Sequence, residues 1–277
     1  MKATNRLTII SKYPIKKSEK FAMKKEQYIE DRDETIRNRE KLFNNPNQLN
    51  WYKKLYSLML KNYLPLNQKK ILEVGSGSSP LKYFYPEVIT SDILELDYLD
   101  MIFDCQNIDE IQEIPNSSLD IICLTNALHH LARPVDFLEK ASVKLKKGGV
   151  IILTEPFFSW MSMPIYKFIH HEPCCSNISK PSLEDIEGPL RSANMLLPHL
   201  IFFSSKRWDS KLKKKYLFNK NEANYFSSLS YFATGGYRRP IHIPKFIYSI
   251  LLQVDCLAAR ICPNILAAFF IIKLKKK

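Results

Sequence analysis

The stretch that decides the fold is ILEVGSGSSP, which occupies residues 71–80. A short apolar run followed by glycine is typical of a buried strand that opens into a loop. Gly75 and Gly77 carry no side chain where the backbone must bend and approach a ligand, and Pro80 suits the first turn of a helix. The stretch therefore predicts a strand, a ligand-binding loop and a helix at the carboxyl edge of a sheet.

Two kinds of ligand compete for such a loop. A dinucleotide fingerprint requires glycine where Pro80 stands, so a nicotinamide dehydrogenase is a remote alternative. Glu73 precedes the first glycine by two residues, and its carboxylate would repel a pyrophosphate and attract an amino group. Asp92 follows Glu73 by 19 residues, close to the spacing of the acidic group that binds ribose hydroxyls. These residues favour a cationic ligand that carries a ribose.

The pattern beyond the loop alternates strands with helices. Strand-like runs occupy residues 88–92, 119–124 and 150–154, and residues 134–147 have a helical periodicity that ends at two glycines. Strands that alternate with crossover helices predict a parallel sheet with helices on both faces.

The composition is that of a globular protein with an uneven charge. The 277 residues are 45% hydrophobic, which excludes a disordered or fibrous chain, and their net charge is +13. The net charge is +10 over residues 1–70, −8 over residues 71–160 and +11 over residues 161–277. Basic flanks around an acidic centre favour an acidic acceptor or an anionic membrane surface over nucleic acid as the partner.

The sequence predicts a cytoplasmic location. Six cysteines are too few for a disulfide scaffold, and the N-terminal apolar stretch is too short for a signal peptide. Residues 246–272 are apolar, but Asp255, Arg260 and Pro263 interrupt them before the roughly 20 residues of a spanning helix are reached. Peripheral contact with the inner membrane is the open alternative.

An ordered series of motifs resembles those of class I S-adenosylmethionine-dependent methyltransferases, in the subgroup with LHHL and LKPGG signatures. The motifs are EVGSG at residues 73–77, Asp92, Asp104-Cys105, SLDII at 118–122, LHHL at 128–131, LKKGG at 145–149 and TEP at 154–156. Two positions depart from the pattern, because Ser79 replaces a frequent third glycine and Lys147 replaces the usual proline. A series in order is far more specific than one glycine loop.

The resemblance implies a Rossmann-like α/β fold with a mostly parallel sheet of seven strands and helices on both faces. Its last strands would include an antiparallel hairpin, with candidates at residues 216–218 and 267–273. The implied domains are an N-terminal arm and helix at residues 1–64 and a methyltransferase domain at 65–277. Within that domain we expect a cofactor-binding core at 70–156, an insertion after the fifth strand at 157–210, and C-terminal strands and a helix at 211–277.

S-adenosyl-L-methionine is the cofactor that the resemblance implies. The expected binding residues follow the ends of successive strands: Glu73, Gly75, Ser76 and Gly77 at the methionine moiety, Asp92 and Ile93 at the ribose, Asp104 and Cys105 at the adenine, and Thr125 and Asn126 beside the same crevice.

Four side chains are candidates for the general base that a hydroxyl acceptor would need: His130, Glu155, His171 and Glu172. We expect His129 to be a packed residue. The cluster of His170, His171, Glu172, Cys174 and Cys175 suggests a metal, but adjacent ligands on one loop point in different directions, and no CxxC or HxxxH spacing is present. The sequence therefore predicts no metal site.

The predicted activity is methyl transfer to a small molecule or to a glycan, which could be lipid-linked. A weaker resemblance, at Tyr166 and at residues 170–173, 192–194 and 235–236, is to methyltransferase-like proteins encoded with bacterial surface-polysaccharide genes. Two alternatives stay open. One is methylation of a quinone-like lipid, and the other is a non-catalytic scaffold that binds the cofactor.

Overall fold

The strand predicted before the glycine loop lies inside an eight-stranded sheet. In this computed structural model, which describes residues 25–170, 172–184, 186–237 and 241–277, β1 (Ile71–Val74) pairs in parallel with β2 (Val88–Asp92) and β4 (Leu119–Thr125). The other strands are β3 (Met101–Ile102), β5 (Leu145–Pro156), β6 (Tyr216–Leu217), β7 (Asn224–Phe226) and β8 (Phe269–Lys276).

The strand order is β3-β2-β1-β4-β5-β8-β6, and β7 also pairs with β8. The first five strands are parallel, whereas β8 runs antiparallel to β5, β6 and β7. The predicted fold class is confirmed. The described chain adds an eighth strand, and β6 and β8 pair across a long helical segment instead of forming a hairpin.

Helices cover both faces of the sheet. They are α1 (Lys25–Phe43), α2 (Pro46–Leu60), α3 (Leu81–Phe84), α4 (Pro134–Lys144), α5 (Ser162–Phe168), α6 (Leu197–Phe203), α7 (Leu212–Lys215), α8 (Leu229–Phe232), α9 (Lys245–Ile261) and α10 (Pro263–Leu266). Successive strand residues point to opposite faces, so Leu72 and Ile122 pack with α4, whereas Ile71 and Ile121 pack with α2 and α9.

The N-terminal helices place polar side chains over the carboxyl edge of the sheet. The amphipathic helix predicted from residue 49 is confirmed as α2, which begins three residues earlier because Asn45 caps it by accepting from the Gln48 backbone N–H (3.1 Å). Trp51 is fully buried on this helix. Residues 1–24 of the predicted arm lie outside the described residues.

Asp255 has a structural role in the apolar segment that it interrupts. Its buried carboxylate accepts hydrogen bonds from the backbone N–H groups of Ser228 (2.8 Å) and Ser230 (2.9 Å), at the beginning of α8. Acceptors at this position satisfy N–H groups that a helix leaves unpaired. None of the helices in the described parts of the chain has both the length and the apolar character needed to cross a membrane.

Candidate active site

The glycine loop after β1 contacts the loop after β4. Gly75 and Gly77 have φ values of +67° and +40°, in the left-handed region that favours glycine. A side chain at Gly75 would place its Cβ only 2.7 Å from the Cβ of Ala127. The Ser76 backbone N–H donates to the Ser91 carbonyl (2.9 Å). The three loop residues predicted to bind the cofactor therefore hold the ends of β1, β2 and β4 together.

Asp92 joins the end of β2 to the same loop. Its Oδ2 accepts from the Gly77 backbone N–H (2.8 Å) and its Oδ1 from that of Leu94 (3.0 Å), with Ile93 between the two. Burial raises the pKa of Asp92, although these backbone N–H groups favour the carboxylate. Each carboxylate oxygen has a second lone pair, which leaves capacity for further donors such as ribose hydroxyls.

The predicted adenine-side residues follow β3 at the same edge. The Phe103 backbone N–H donates to the Asp92 carbonyl (3.0 Å), which fixes β3 beside the end of β2. The Asp104 carboxylate accepts from the Gln106 N–H (2.9 Å) and caps a 3₁₀ helix over Cys105–Glu110. Burial raises the pKa of the Cys105 thiol, and the charges of Asp104 and Asp92 add to the effect.

Glu73 and Asn126 present buried acceptors that nothing in the described chain satisfies. Glu73 Oε1 accepts from the Ser79 hydroxyl (2.6 Å), whereas Glu73 Oε2 and Asn126 Oδ1 are buried without a hydrogen-bond partner. Burial raises the pKa of Glu73 to about 7, even though hydroxyls of Ser79 and Ser76 oppose the shift. Asn126 follows Thr125, the last residue of β4, and has a φ of +52°. A ligand that carries donors and a positive charge fits these acceptors.

Several residues that the sequence analysis missed cover the glycine loop. The Arg39 guanidinium on α1 donates to the Ser79 carbonyl (2.7 Å) and lies 4.0 Å from the centre of the Tyr98 ring. The Tyr98 hydroxyl donates to the Gly77 carbonyl (2.8 Å), and the Tyr237 hydroxyl bonds to that of Ser78 (2.9 Å). Arg39 and Tyr237 lie far from the loop in the sequence, so no local pattern identified them.

Glu155 organises the turn after β4. This fully buried carboxylate, near the end of β5, accepts from the backbone N–H groups of Ala127 (3.0 Å) and Leu128 (2.7 Å) through Oε1. Its Oε2 lies 2.5 Å from Nδ1 of His129. Because both oxygens are engaged within the fold, Glu155 fixes the turn after β4 and orients the His129 ring.

His129 lies between two carboxylates. Its Nε2 is 3.3 Å from Glu172 Oε2, and His130 Nε2 is 3.8 Å from Glu172 Oε1. Burial lowers the pKa of His129, but Glu155 and Glu172 outweigh it and raise the value to about 10. Burial likewise opposes ionisation of Glu172, but His129 holds the pKa of that carboxyl well below its ordinary range.

The structure thus brings three of the four predicted catalytic side chains together. His130, Glu155 and Glu172 converge on His129, which is buried as predicted and central to the cluster. His171 lies outside the described residues. The sequence of residues 128–131 contained His129, but only the fold shows that Glu155 and Glu172 reach it.

The comparisons with known proteins agree with the motifs. Residues 72–153 match the family model described as a methyltransferase domain, the third of the chain that carries the glycine loop and the LHHL motif. The matched segment is a methyltransferase domain. Methyl transfer from S-adenosylmethionine is the activity, and S-adenosylmethionine the cofactor, of this kind of domain, as the sequence predicted. A search of curated proteins found no significant match.

Three solved structures illustrate the range of similarity. A methyltransferase from Archaeoglobus fulgidus is 16% identical, with 80% of this chain and 94% of that chain covered and a TM-score of 0.45. One from Thermotoga maritima is 13% identical, with 91% and 98% covered and a TM-score of 0.47. The YcgJ protein of Bacillus subtilis is 15% identical, with 80% and 97% covered and a TM-score of 0.43.

The raised pKa of Glu73 predicts how stability changes with pH in the absence of cofactor. In the folded protein the pKa of Glu73 is about 7, above its ordinary value of about 4.5. The free energy of unfolding is therefore highest below pH 4.5, where this carboxyl is protonated in both states, and it falls as the pH rises to about 7. Glu73→Gln should therefore be more stable than the wild type at pH 8, by on the order of 2 kcal/mol. Denaturant unfolding measured from pH 5 to pH 8 checks this.

The exposed carboxylate variant Glu87→Gln is the matched control. The difference in unfolding free energy between Glu73→Gln and wild type should grow with pH, whereas that of Glu87→Gln should stay flat. Parallel curves for all three proteins would mean that Glu73 is not held in its neutral form.

Proposed function

We propose that the protein methylates a small-molecule or glycan acceptor that is lipid-linked and belongs to surface-polysaccharide biosynthesis. The observation that carries the cofactor half of this proposal is the pair of unsatisfied buried acceptors, Glu73 Oε2 and Asn126 Oδ1, beside the glycine loop. The acceptor half rests on the resemblance to polysaccharide-associated proteins and on an exposed apolar surface described below.

In this proposal the cofactor lies along the carboxyl edge of β1 to β4. Its methionine end would contact Glu73, Gly75, Ser76 and Gly77, its ribose Asp92 and Ile93, its adenine Asp104 and Cys105, and Thr125 and Asn126 would line the same crevice. When bound, S-adenosylmethionine supplies an electrophilic methyl group on a sulfonium. The chain's own contribution is to align donor and acceptor, which lowers the entropic part of the barrier.

On the acceptor side, we assign His130 and Glu172 to contact with the acceptor, because each is only partly buried. Glu155 is a positioning residue, since its oxygens are held by Ala127, Leu128 and His129. His171 remains a candidate from the sequence alone. The cluster would take up or displace the proton of an acceptor hydroxyl.

Asp92→Asn should weaken cofactor binding. The substitution keeps the size of the side chain but removes the charge that would accept from ribose hydroxyls, and a hydrogen bond to a charged group contributes about 1.5–3 kcal/mol. We expect an affinity for S-adenosylmethionine that is lower by roughly 10- to 100-fold, measured by calorimetry.

The control is Asp97→Asn, an exposed carboxylate five residues after Asp92, which should bind as the wild type does. Thermal unfolding separates a binding defect from a folding defect, because Asp92 also accepts from two backbone N–H groups. Unchanged affinity in Asp92→Asn and in Asp92→Ala would contradict the assignment of the ribose site.

A methyl-transfer assay distinguishes an enzyme that acts on cell-envelope components from a non-catalytic scaffold. With isotopically labelled S-adenosylmethionine and cell-envelope extracts, we expect label in the lipid-linked glycan fraction and equimolar S-adenosylhomocysteine. His130→Gln should lower turnover by about 100-fold or more and leave cofactor affinity unchanged. Tight cofactor binding without turnover on any fraction would instead support the non-catalytic scaffold, and label in the quinone fraction would support the lipid alternative.

Helix α9 exposes an apolar stripe to solvent. Its buried face carries Tyr248, Leu252 and Asp255, and its opposite face carries exposed apolar side chains: Phe246, Ile247, Ile250, Val254, Leu257 and Ile261. We call these six residues the apolar stripe. A contiguous apolar surface on a soluble protein marks an interaction site.

The surroundings of the apolar stripe fit an anionic lipid surface. Trp160, which is 84% exposed, lies beside it because its backbone N–H donates to the Asn264 carbonyl after α9 ends (2.9 Å). The exposed charges of α9 are Lys245 and Arg260, and its one acidic residue, Asp255, is buried. Basic residues near such a surface contribute about 1 kcal/mol each to binding, so we propose that the apolar stripe binds an anionic membrane surface.

Leu257→Glu should reduce binding to vesicles of phosphatidylglycerol and phosphatidylethanolamine by roughly tenfold, because it removes an apolar contact and adds a negative charge. Leu217→Glu on β6 is the matched control, since both leucines are 58% exposed. Co-sedimentation measures the bound fraction. If the two substitutions reduced vesicle binding equally, the apolar stripe would not be the lipid-binding surface. If Leu257→Glu changed the monomer–dimer equilibrium, the stripe would be an interface between copies of the chain.

A further inference from the structure

We propose that His129, His130 and Glu172 form a site for a divalent transition-metal ion of the zinc type. Each residue contributes one ligand atom, and the three atoms lie within 4.8 Å of one another. Two imidazole nitrogens and one carboxylate oxygen are a donor set of catalytic zinc sites, which keep a fourth position for water or substrate.

The distances within the cluster leave room for a metal ion between its members. A charged N–H···O hydrogen bond is about 2.7–2.9 Å long, whereas His129 Nε2 lies 3.3 Å from Glu172 Oε2 and His130 Nε2 lies 3.8 Å from Glu172 Oε1. Ligands at zinc bond lengths of about 2.1 Å in tetrahedral geometry are separated by about 3.4 Å. The two nitrogen–oxygen distances are close to this separation, and the three ligand atoms all lie within 4.8 Å of one another.

The other nitrogen of each imidazole is already oriented. His129 Nδ1 lies 2.5 Å from Glu155 Oε2, and His130 Nδ1 lies 3.1 Å from the Ser192 carbonyl oxygen. An acceptor at Nδ1 orients each ring with Nε2 toward Glu172; on metal binding Nε2 would release its proton and its lone pair would become the ligand, the arrangement found around metal-bound histidines. Glu155 is itself fixed by the N–H groups of Ala127 and Leu128.

The two adjacent histidines can bind one ion, although adjacent side chains on a loop usually point in different directions. Adjacent residues on an extended loop diverge, but His129 and His130 lie on a 3₁₀ helix (Leu128–His130), with ring centroids 4.3 Å apart and planes inclined by 38°. The third ligand, Glu172, comes from the insertion. Two carboxylates, the buried Glu155 and the partly buried Glu172, also balance the charge of a divalent ion.

The position of the site suggests its use, which rests on the proposed function. The 3₁₀ helix directly follows Ala127, whose Cβ faces Gly75 of the glycine loop. A hydroxyl of the acceptor in the fourth coordination position would be more acidic than in water, and its proton would pass to solvent. The metal site itself requires neither cofactor nor acceptor.

Metal binding by the full-length chain without a polyhistidine tag tests the proposal. After chelator treatment and dialysis against Zn²⁺ or Co²⁺, we expect one equivalent of metal by elemental analysis and tetrahedral Co²⁺ absorption bands. Glu172→Gln and His130→Gln should each lower affinity by 100-fold or more, and Glu155→Gln by about 10- to 100-fold. The exposed His242→Gln and Cys175→Ser variants should bind as the wild type does.

Sub-stoichiometric metal in folded wild-type protein, or binding that Glu172→Gln leaves unchanged, would overturn the proposal. Thermal unfolding of each variant identifies any loss of metal binding that is caused by misfolding. Glu172→Gln is the substitution least expected to disturb folding, because Glu172 is only partly buried. The readouts contain no S-adenosylmethionine, so failure of the metal site and failure of the acceptor proposal are separately observable.

Discussion

The close approach of Gly75 to Ala127 is the constraint on which the site depends. Because a Cβ on Gly75 would lie 2.7 Å from that of Ala127, only glycine lets the loops after β1 and β4 touch. The first loop carries the residues expected to bind the cofactor, and the second begins the helix with His129 and His130. The contact therefore sets the separation between the glycine loop and the two histidines.

Two buried glutamates at this edge have different roles because their carboxylates have different hydrogen-bond partners. Glu155 has both oxygens engaged, by Ala127, Leu128 and His129, and it stabilises the local turn. Glu73 has one engaged oxygen and a pKa raised to about 7, so its burial is only partly compensated. An incompletely satisfied carboxylate costs stability in the free protein, and a cationic ligand recovers that cost on binding.

The sequence predicted the elements whose signals are local. The apolar run before Gly75 indicated β1 and its loop, and the position of Asp92 followed from strand spacing. The helix predicted to end at the glycines after residue 147 ends instead at Lys144, because β5 begins at Leu145 and includes both glycines. Contacts between distant segments carried no such signal, as with Arg39 over the glycine loop or Ser192 at His130. The strand β7 was missed because three residues have too short a pattern, and its pairing with β8 depends on the fold.

The insertion after β5 connects the acceptor side to the apolar stripe. It leaves the sheet beside Glu155, places Trp160 next to the end of α9, and returns to the cluster at Glu172. Between these points the buried Tyr166 hydroxyl donates to the Ala268 carbonyl (2.7 Å), which anchors α5 to the sheet. One short segment thus links the exposed surface with the histidines. Under the proposed function, an acceptor whose apolar part stays in a lipid surface and whose polar head reaches His130 would use this connection.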